Sequence, residues 1–252
     1  TLELMKRRGP DHQGFISVRS GDNFVSLLHS RLSIIDLDPR SNQPFTIGDC
    51  TLVFNGEIYN YVELREQLEN EGVCFRTESD TEVLLQAYLK YGRDCVGHFE
   101  GMWSFAIYDR RTETVFLSRD RFAEKPLYFL QRPEGFYFGS EIKLLKSLSG
   151  QKLTVNRRQV LRFLVNGYRT IYKDDETFFE EVQEVPFAAN VVVRSDTGVS
   201  VSRYWQPRYE PRPMSLEEAI EQARHHLFES IRIRLRADVP LACCLSKGEF
   251  RP

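Results

Sequence analysis

Thirty-four basic residues against thirty-six acidic ones in a chain of 252 leave a formal charge of −2, which gives nucleic acid or an anionic membrane no electrostatic reason to bind. Hydrophobic residues at 41% allow a sizeable core, in one large domain or one domain plus part of another. No apolar run can span a bilayer, no signal-peptide core opens the chain, and five cysteines without a C-x-x-C pair indicate neither a disulfide framework nor a metal site, so a reducing cytoplasm is the expected compartment.

In chain order, residues 1–8 read as the last turns of a helix, ended by Gly9-Pro10. Residues 15–18 and 24–28 are strand-like, with Ser20-Gly21-Asp22-Asn23 as their turn. A β-type run at 51–54 is expected to break at Asn55-Gly56 and give way to a helix near Val62, carried by Leu64 and Leu68 and stopped by Gly72. A second helix spans 81–91, with Ser79 and Glu82 spaced as a capping box. Three hairpins follow: 103–108 with 114–118, 127–130 with 136–139, and 191–194 with 199–204. Hairpins among a few helices predict an α+β domain with antiparallel sheets over 1–205. Pro207, Pro211 and Pro213 make 206–214 a linker. Ser215-Leu216-Glu217-Glu218 is a capping box that opens a helix to about Leu235. A buried strand at 239–245 is then expected. Residues 215–252 read as the first helix and strand of an incomplete α/β nucleotide-binding domain, weakly anchored because one helix and one strand cannot bury both faces. The start at Thr1 without Met and the stop at Phe250-Arg251-Pro252 are those expected of a fragment or an interrupted reading frame.

The chemistry gathers around Asn55-Gly56. A side-chain amide and a neighbouring backbone N–H can converge on one oxyanion, although Asn-Gly is equally a turn signal. Arg31 is either a planar fork for a carboxylate or a surface arginine at a strand end. Ile34 and Ile35 read as core residues. Asp80 in the first turn of a helix is favoured by the dipole, and the same rigid start can hold a cationic ligand group. His29 reads as a packed strand residue, and His12, His98 and His225-His226 show no ligand spacing. Cys50 reads as a core or edge thiol.

The order of motifs is more specific than any one of them. Arg7-Arg8-Gly9-Pro10-Asp11, His29-Ser30-Arg31-Leu32-Ser33-Ile34-Ile35-Asp36, Asn55-Gly56-Glu57-Ile58-Tyr59-Asn60, Ser79-Asp80-Thr81-Glu82, Arg119-Asp120-Arg121-Phe122 with Lys125-Pro126-Leu127-Tyr128, and Gly139-Ser140-Glu141-Ile142-Lys143 occur in turn. This set resembles the class II glutamine amidotransferase domain of glutamine-hydrolysing asparagine synthetases, in the N-terminal-nucleophile hydrolase superfamily. The resemblance implies a four-layer αββα sandwich of two antiparallel sheets. It implies glutamine as substrate, Asn55 and Gly56 as oxyanion hole, and Arg31, Ile34, Ile35, Glu57 and Asp80 as glutamine-binding positions. The loops at 119–121 and 125–128 would border an ammonia route, or simply be charge-paired structure. The family's nucleophile is an N-terminal Cys on a strand ahead of the position of Thr1. Thr1 itself opens a helical run and is not expected to replace it, so this fragment is expected to be inactive alone.

Beyond the linker, Asp238-Val239-Pro240 resembles the start of the family's synthetase domain. The ATP loop there is Ser-Gly-Gly-x-Asp-Ser, whereas this chain has Ser246-Lys247-Gly248-Glu249-Phe250-Arg251. Only Leu245 and Ser246 match ATP-binding positions. The resemblance thus implies no cofactor in this fragment, ATP and Mg with aspartate as acceptor in the full-length parent, and compatibility with a homodimer. Two alternatives are a non-catalytic glutamine-binding module and an amidotransferase with another acceptor.

Overall fold

A computed structural model describes residues 1–167, 176–194, 196 and 198–242. Helix α1 (Leu2–Met5) leads into a hairpin of β1 (His12–Ser20) and β2 (Asn23–Arg31). Then come β3 (Phe45–Ile47), β4 (Cys50–Ile58), α2 (Tyr61–Asn70), α3 (Asp80–Tyr91), β5 (Gly101–Asp109), β6 (Thr114–Arg119), β7 (Tyr128–Arg132) and β8 (Gly135–Gly139). They are followed by α4 (Ile142–Ser149), α5 (Arg157–Asn166), β9 (Val182–Glu184), β10 (Ala189–Arg194), β11 (Gly198–Arg203) and α6 (Leu216–Arg234). Strands β11-β10-β6-β5-β4-β3 make one sheet, β1-β2 a second and β8-β7-β9 a third, all antiparallel. The fold is therefore mixed α/β with antiparallel sheets, as expected.

The period of two along the central strands feeds two cores. Leu52, Phe54, Trp103, Phe105, Ile107 and Phe116 pack with Leu64 and Leu68 of α2 and Leu84 of α3. Val53, Ala106, Tyr108, Leu117 and Val191 pack the other way, with Leu27 of β2 and Phe129 of β7. Leu130, Leu145 and Val182 join α4 to the three-stranded sheet. Because the central sheet is covered on both faces, β5 is buried without a break from Trp103 to Asp109. Trp103 is fully buried; its indole N–H donates to Ser118 Oγ at 3.1 Å, and its ring meets Phe99 edge-on and stacks on Tyr204.

Several expectations need correction. Strand β4 does not break at Asn55-Gly56 but continues to Ile58, with Asn55 opposite Ser104 and Gly56 opposite Trp103. Helices α4 and α5 and the short strands β3 and β9 were not predicted. Residues 206–214 form an exposed segment without helix or strand, and the capping box of α6 is present: Glu218 N–H donates to Ser215 Oγ at 3.2 Å and Ser215 N–H to Glu218 Oε2 at 2.9 Å. The expected strand at 239–245 is absent over 239–242, which pair with none of the described strands; the remainder, with Leu245 and Ser246, lies outside the described residues. Residues 236–238 are tied back to the body. Arg236 pairs with Glu63, and Asp238 bonds to Ile34 and Asp36. No described helix is long and apolar enough to cross a membrane.

Candidate active site

A cleft of about 1050 Å³ lies against β2 and β4, and Arg31, Ile34, Ile35, Asn55, Gly56, Glu57 and Asp80 all line it. Residues chosen from scattered motifs thus meet at one place.

Arg31 ends β2 and is buried, not a surface side chain. Its Nη1 donates to Asp38 O at 3.1 Å and Asn42 Oδ1 at 2.9 Å, and its Nη2 to Ile35 O at 3.3 Å and to Asp36 O. The fork thus holds the 35–42 loop as well as facing the cleft. Burial pulls its pKa below the ordinary value, against Asp36, Asp80, Asp11 and Asp38. Ile35 is buried and Ile34 half-buried, and both bond through their carbonyls, so they serve core and cleft wall together.

Asn55 and Gly56 are presented by a continuous strand. Asn55 Nδ2 donates to Ser140 Oγ at 3.1 Å. Gly56 is required by close approach: a Cβ there would stand 2.1 Å from Met102 O and 2.8 Å from Trp103 Cα. No L side chain fits without moving β5.

Asp80 begins α3, buried, with Oδ2 accepting from Ile58 N–H at 3.1 Å. Burial pushes its pKa up to about 7; the nearby Glu57 charge adds to this, while the Ile58 and Thr81 N–H groups and Arg31 oppose it. Burial also raises Glu57, with Lys125 opposing. Two carboxylates that line the same cleft, one raised by the other's charge, favour a cation beside them. The expected capping box at α3 is only half formed. Ser79 Oγ accepts from Thr81 N–H at 2.9 Å, but the fully buried Glu82 carboxylate takes the N–H groups of Arg76 at 3.0 Å and Thr77 at 2.7 Å and the Thr77 hydroxyl at 2.7 Å. Three donors in the preceding loop outcompete one at Ser79.

His29 and Cys50 are packed side chains, and the 119–125 loop is charge-paired. His29 Nε2 lies 3.0 Å from Phe54 O, and burial drives its pKa down to about 4, so it is neutral near pH 7. Burial pushes the Cys50 thiol up to about 11, leaving it unreactive. In the 119–125 loop, Asp120 accepts from the N–H groups of Trp103, Phe122, Glu124 and Lys125, and Arg119 pairs with Glu184 at 2.8 Å. Sequence reasoning passed over Ser140 as a partner of Asn55, because their contact spans 85 residues.

With this geometry in hand, known proteins offer a comparison. A family described as "Glutamine amidotransferase domain" matches residues 1–205. The chain is 31% identical over 98% of its length to "Asparagine synthetase [glutamine-hydrolyzing] 1" of Bacillus subtilis, covering 38% of that protein. It is 33% identical over 98% of its length to "Putative asparagine synthetase [glutamine-hydrolyzing] 2" of Methanocaldococcus jannaschii, covering 50% of it. The chain thus spans half or less of the length of these relatives. Among solved structures, the glutamine phosphoribosylpyrophosphate amidotransferase from B. subtilis superposes with a TM-score of 0.57 at 19% identity, over 82% of this chain and 46% of that one, a likeness of fold. A match over residues 1–205, joined to the cleft those residues build, means that the chain belongs to the glutamine amidotransferase domain family.

Proposed function

We propose that the chain is the glutamine-hydrolysing part of an asparagine synthetase-type enzyme, supplying ammonia for ATP-dependent amidation of aspartate. The observation that carries this reading is the lining of one cleft by Arg31, Asn55, Gly56, Glu57 and Asp80, with the Asp80 carboxyl raised beside Glu57. A free amino acid offers a carboxylate for Arg31, an ammonium for Asp80 and Glu57, and a carboxamide for Asn55. The names of the relatives support glutamine hydrolysis and an asparagine product.

In this reading residues 1–205 form the amidotransferase domain, 206–214 the linker and 215–252 the start of the synthetase domain. The three apolar clusters support a four-layer αββα arrangement. The nucleophile would be the family's N-terminal Cys, from sequence ahead of Thr1. Its thiolate attacks the carboxamide carbon, ammonia leaves, and water cleaves the thioester to glutamate. Asn55 Nδ2 and Gly56 N–H meet the oxyanion that appears during attack. Arg31 acts on a charge present throughout. ATP and Mg²⁺ belong to the parent's second domain; Leu245 and Ser246 are outside the described residues, and no described side chain is assigned to either group.

The test is steady-state glutaminase kinetics on the protein extended to carry that Cys. Arg31→Ala should mainly raise KM, and Asn55→Ala should lower kcat by about 10²–10³. A kcat-only effect at Arg31, or a KM-only effect at Asn55, overturns the assignment.

A further inference from the structure

We propose that Asp238 is a positioning residue for the glutamine cleft, tying the segment beyond the linker to the loop that cradles Arg31. This rests on the glutamine reading above. Asp238 is 202 residues from Asp36 in sequence, yet its Oδ2 accepts the Asp36 N–H at 2.7 Å, and its own N–H donates to Ile34 O at 2.8 Å. The two bonds are reciprocal, one through the side chain and one through the backbone.

Asp36 is an unusual place to anchor. It adopts φ 53°, a left-handed conformation that a non-glycine residue keeps only when its surroundings hold it. Its carboxylate accepts from Asp38 N–H at 2.9 Å, Glu78 N–H at 2.9 Å and Ser41 Oγ at 2.5 Å. Its carbonyl takes Arg31 Nη2. Asp238 therefore grips one side of the residue whose other side grips the guanidinium. Two residues earlier, Arg236 donates to Tyr59 O and to Glu63 Oε2 at 2.6 Å. Tyr59 directly follows Ile58, whose N–H holds Asp80. The segment 236–238 thus reaches both the loop that carries Ile34 and Asp36 and the residue that follows the Asn55 strand. Asp238 is solvent-exposed, so nothing in packing demands an acid there; its carboxylate is committed to one backbone N–H.

The test is titration calorimetry of L-glutamine into the full chain, with hydrogen exchange of the 34–38 loop measured without ligand. Asp238→Ala should weaken glutamine binding roughly threefold to tenfold, as expected for one lost charge-assisted hydrogen bond. Asp238→Asn, whose amide oxygen can still accept from Asp36, should restore most of it. Combined with Arg31→Ala, the loss should be less than additive, because Asp238 acts through Arg31's loop. In the free chain, Asp238→Ala should speed exchange at Asp36 while 103–108 stays protected. If Arg31→Ala weakens glutamine and Asp238→Ala does not, the positioning role is overturned and the glutamine reading stands. If the unsubstituted chain binds no glutamine, that reading fails, and the exchange result alone decides whether Asp238 holds the loop: unchanged exchange at Asp36 refutes it.

Discussion

Asp80 gives the cleft a pH dependence whose sign follows from its environment. A carboxyl raised to about 7 binds more protons in the folded state than in the unfolded one. Its stabilising contribution is complete below the ordinary carboxylate range and is lost as pH rises through about 7. The proposed contact with the glutamine ammonium requires the charged form, and on that proposal binding expels the proton. Affinity should therefore fall about tenfold for each pH unit below 7 and level off above it. Asp80→Asn should flatten the profile and, because the buried charge is gone, resist denaturant better above pH 7. Calorimetric titrations from mildly acidic to mildly basic pH check both; a flat profile in the unsubstituted chain would show that Asp80 is not the ammonium's partner. The approximate place of Asp80 was legible, since an acid after a capping Ser is a sequence pattern. Its raised pKa was not, because that depends on burial under β4 and on Glu57.

The pairing of β4 with β5 is the element on which the cleft depends. Gly56 lets the two backbones close to a distance that no Cβ tolerates. Gly56→Ala should lower the unfolding free energy by about 1–3 kcal/mol through overpacking and displace Asn55. Urea unfolding measures the first effect. Unchanged stability would mean that β5 does not lie so close. Elements with strong local signals were readable in advance: the hairpins through alternation and turn residues, α3 and α6 through their capping serines. Others were not. Strand β9 is three residues long and exists because Val182 and its neighbours pair with β7. The Asn55–Ser140 and Asp36–Asp238 contacts join residues 85 and 202 apart, which no local pattern can announce.

As a whole, the molecule is a cored body followed by an exposed strap that returns to it. Residues 206–214 are exposed throughout, and α6 buries no residue, so the strap is held by Arg234 over the Tyr59 ring, Arg236 and Asp238 rather than by an apolar core. Limited trypsin digestion should cut first at Arg208; Arg212 precedes Pro213 and is a poor site. A first cut within 1–167 would show that the strap is better protected than the body.

The chain's two tryptophans fall on either side of this division of labour. Trp103 is sealed in the core between Phe99 and Tyr204, whereas Trp205, at the head of the strap, is half-buried beside Phe122 and Arg121. The protein therefore carries two built-in optical gauges of different colour. Emission from Trp103 stays blue until the central sheet itself opens. Emission from Trp205 shifts toward red as soon as the strap lifts, so intrinsic fluorescence alone separates detachment from unfolding.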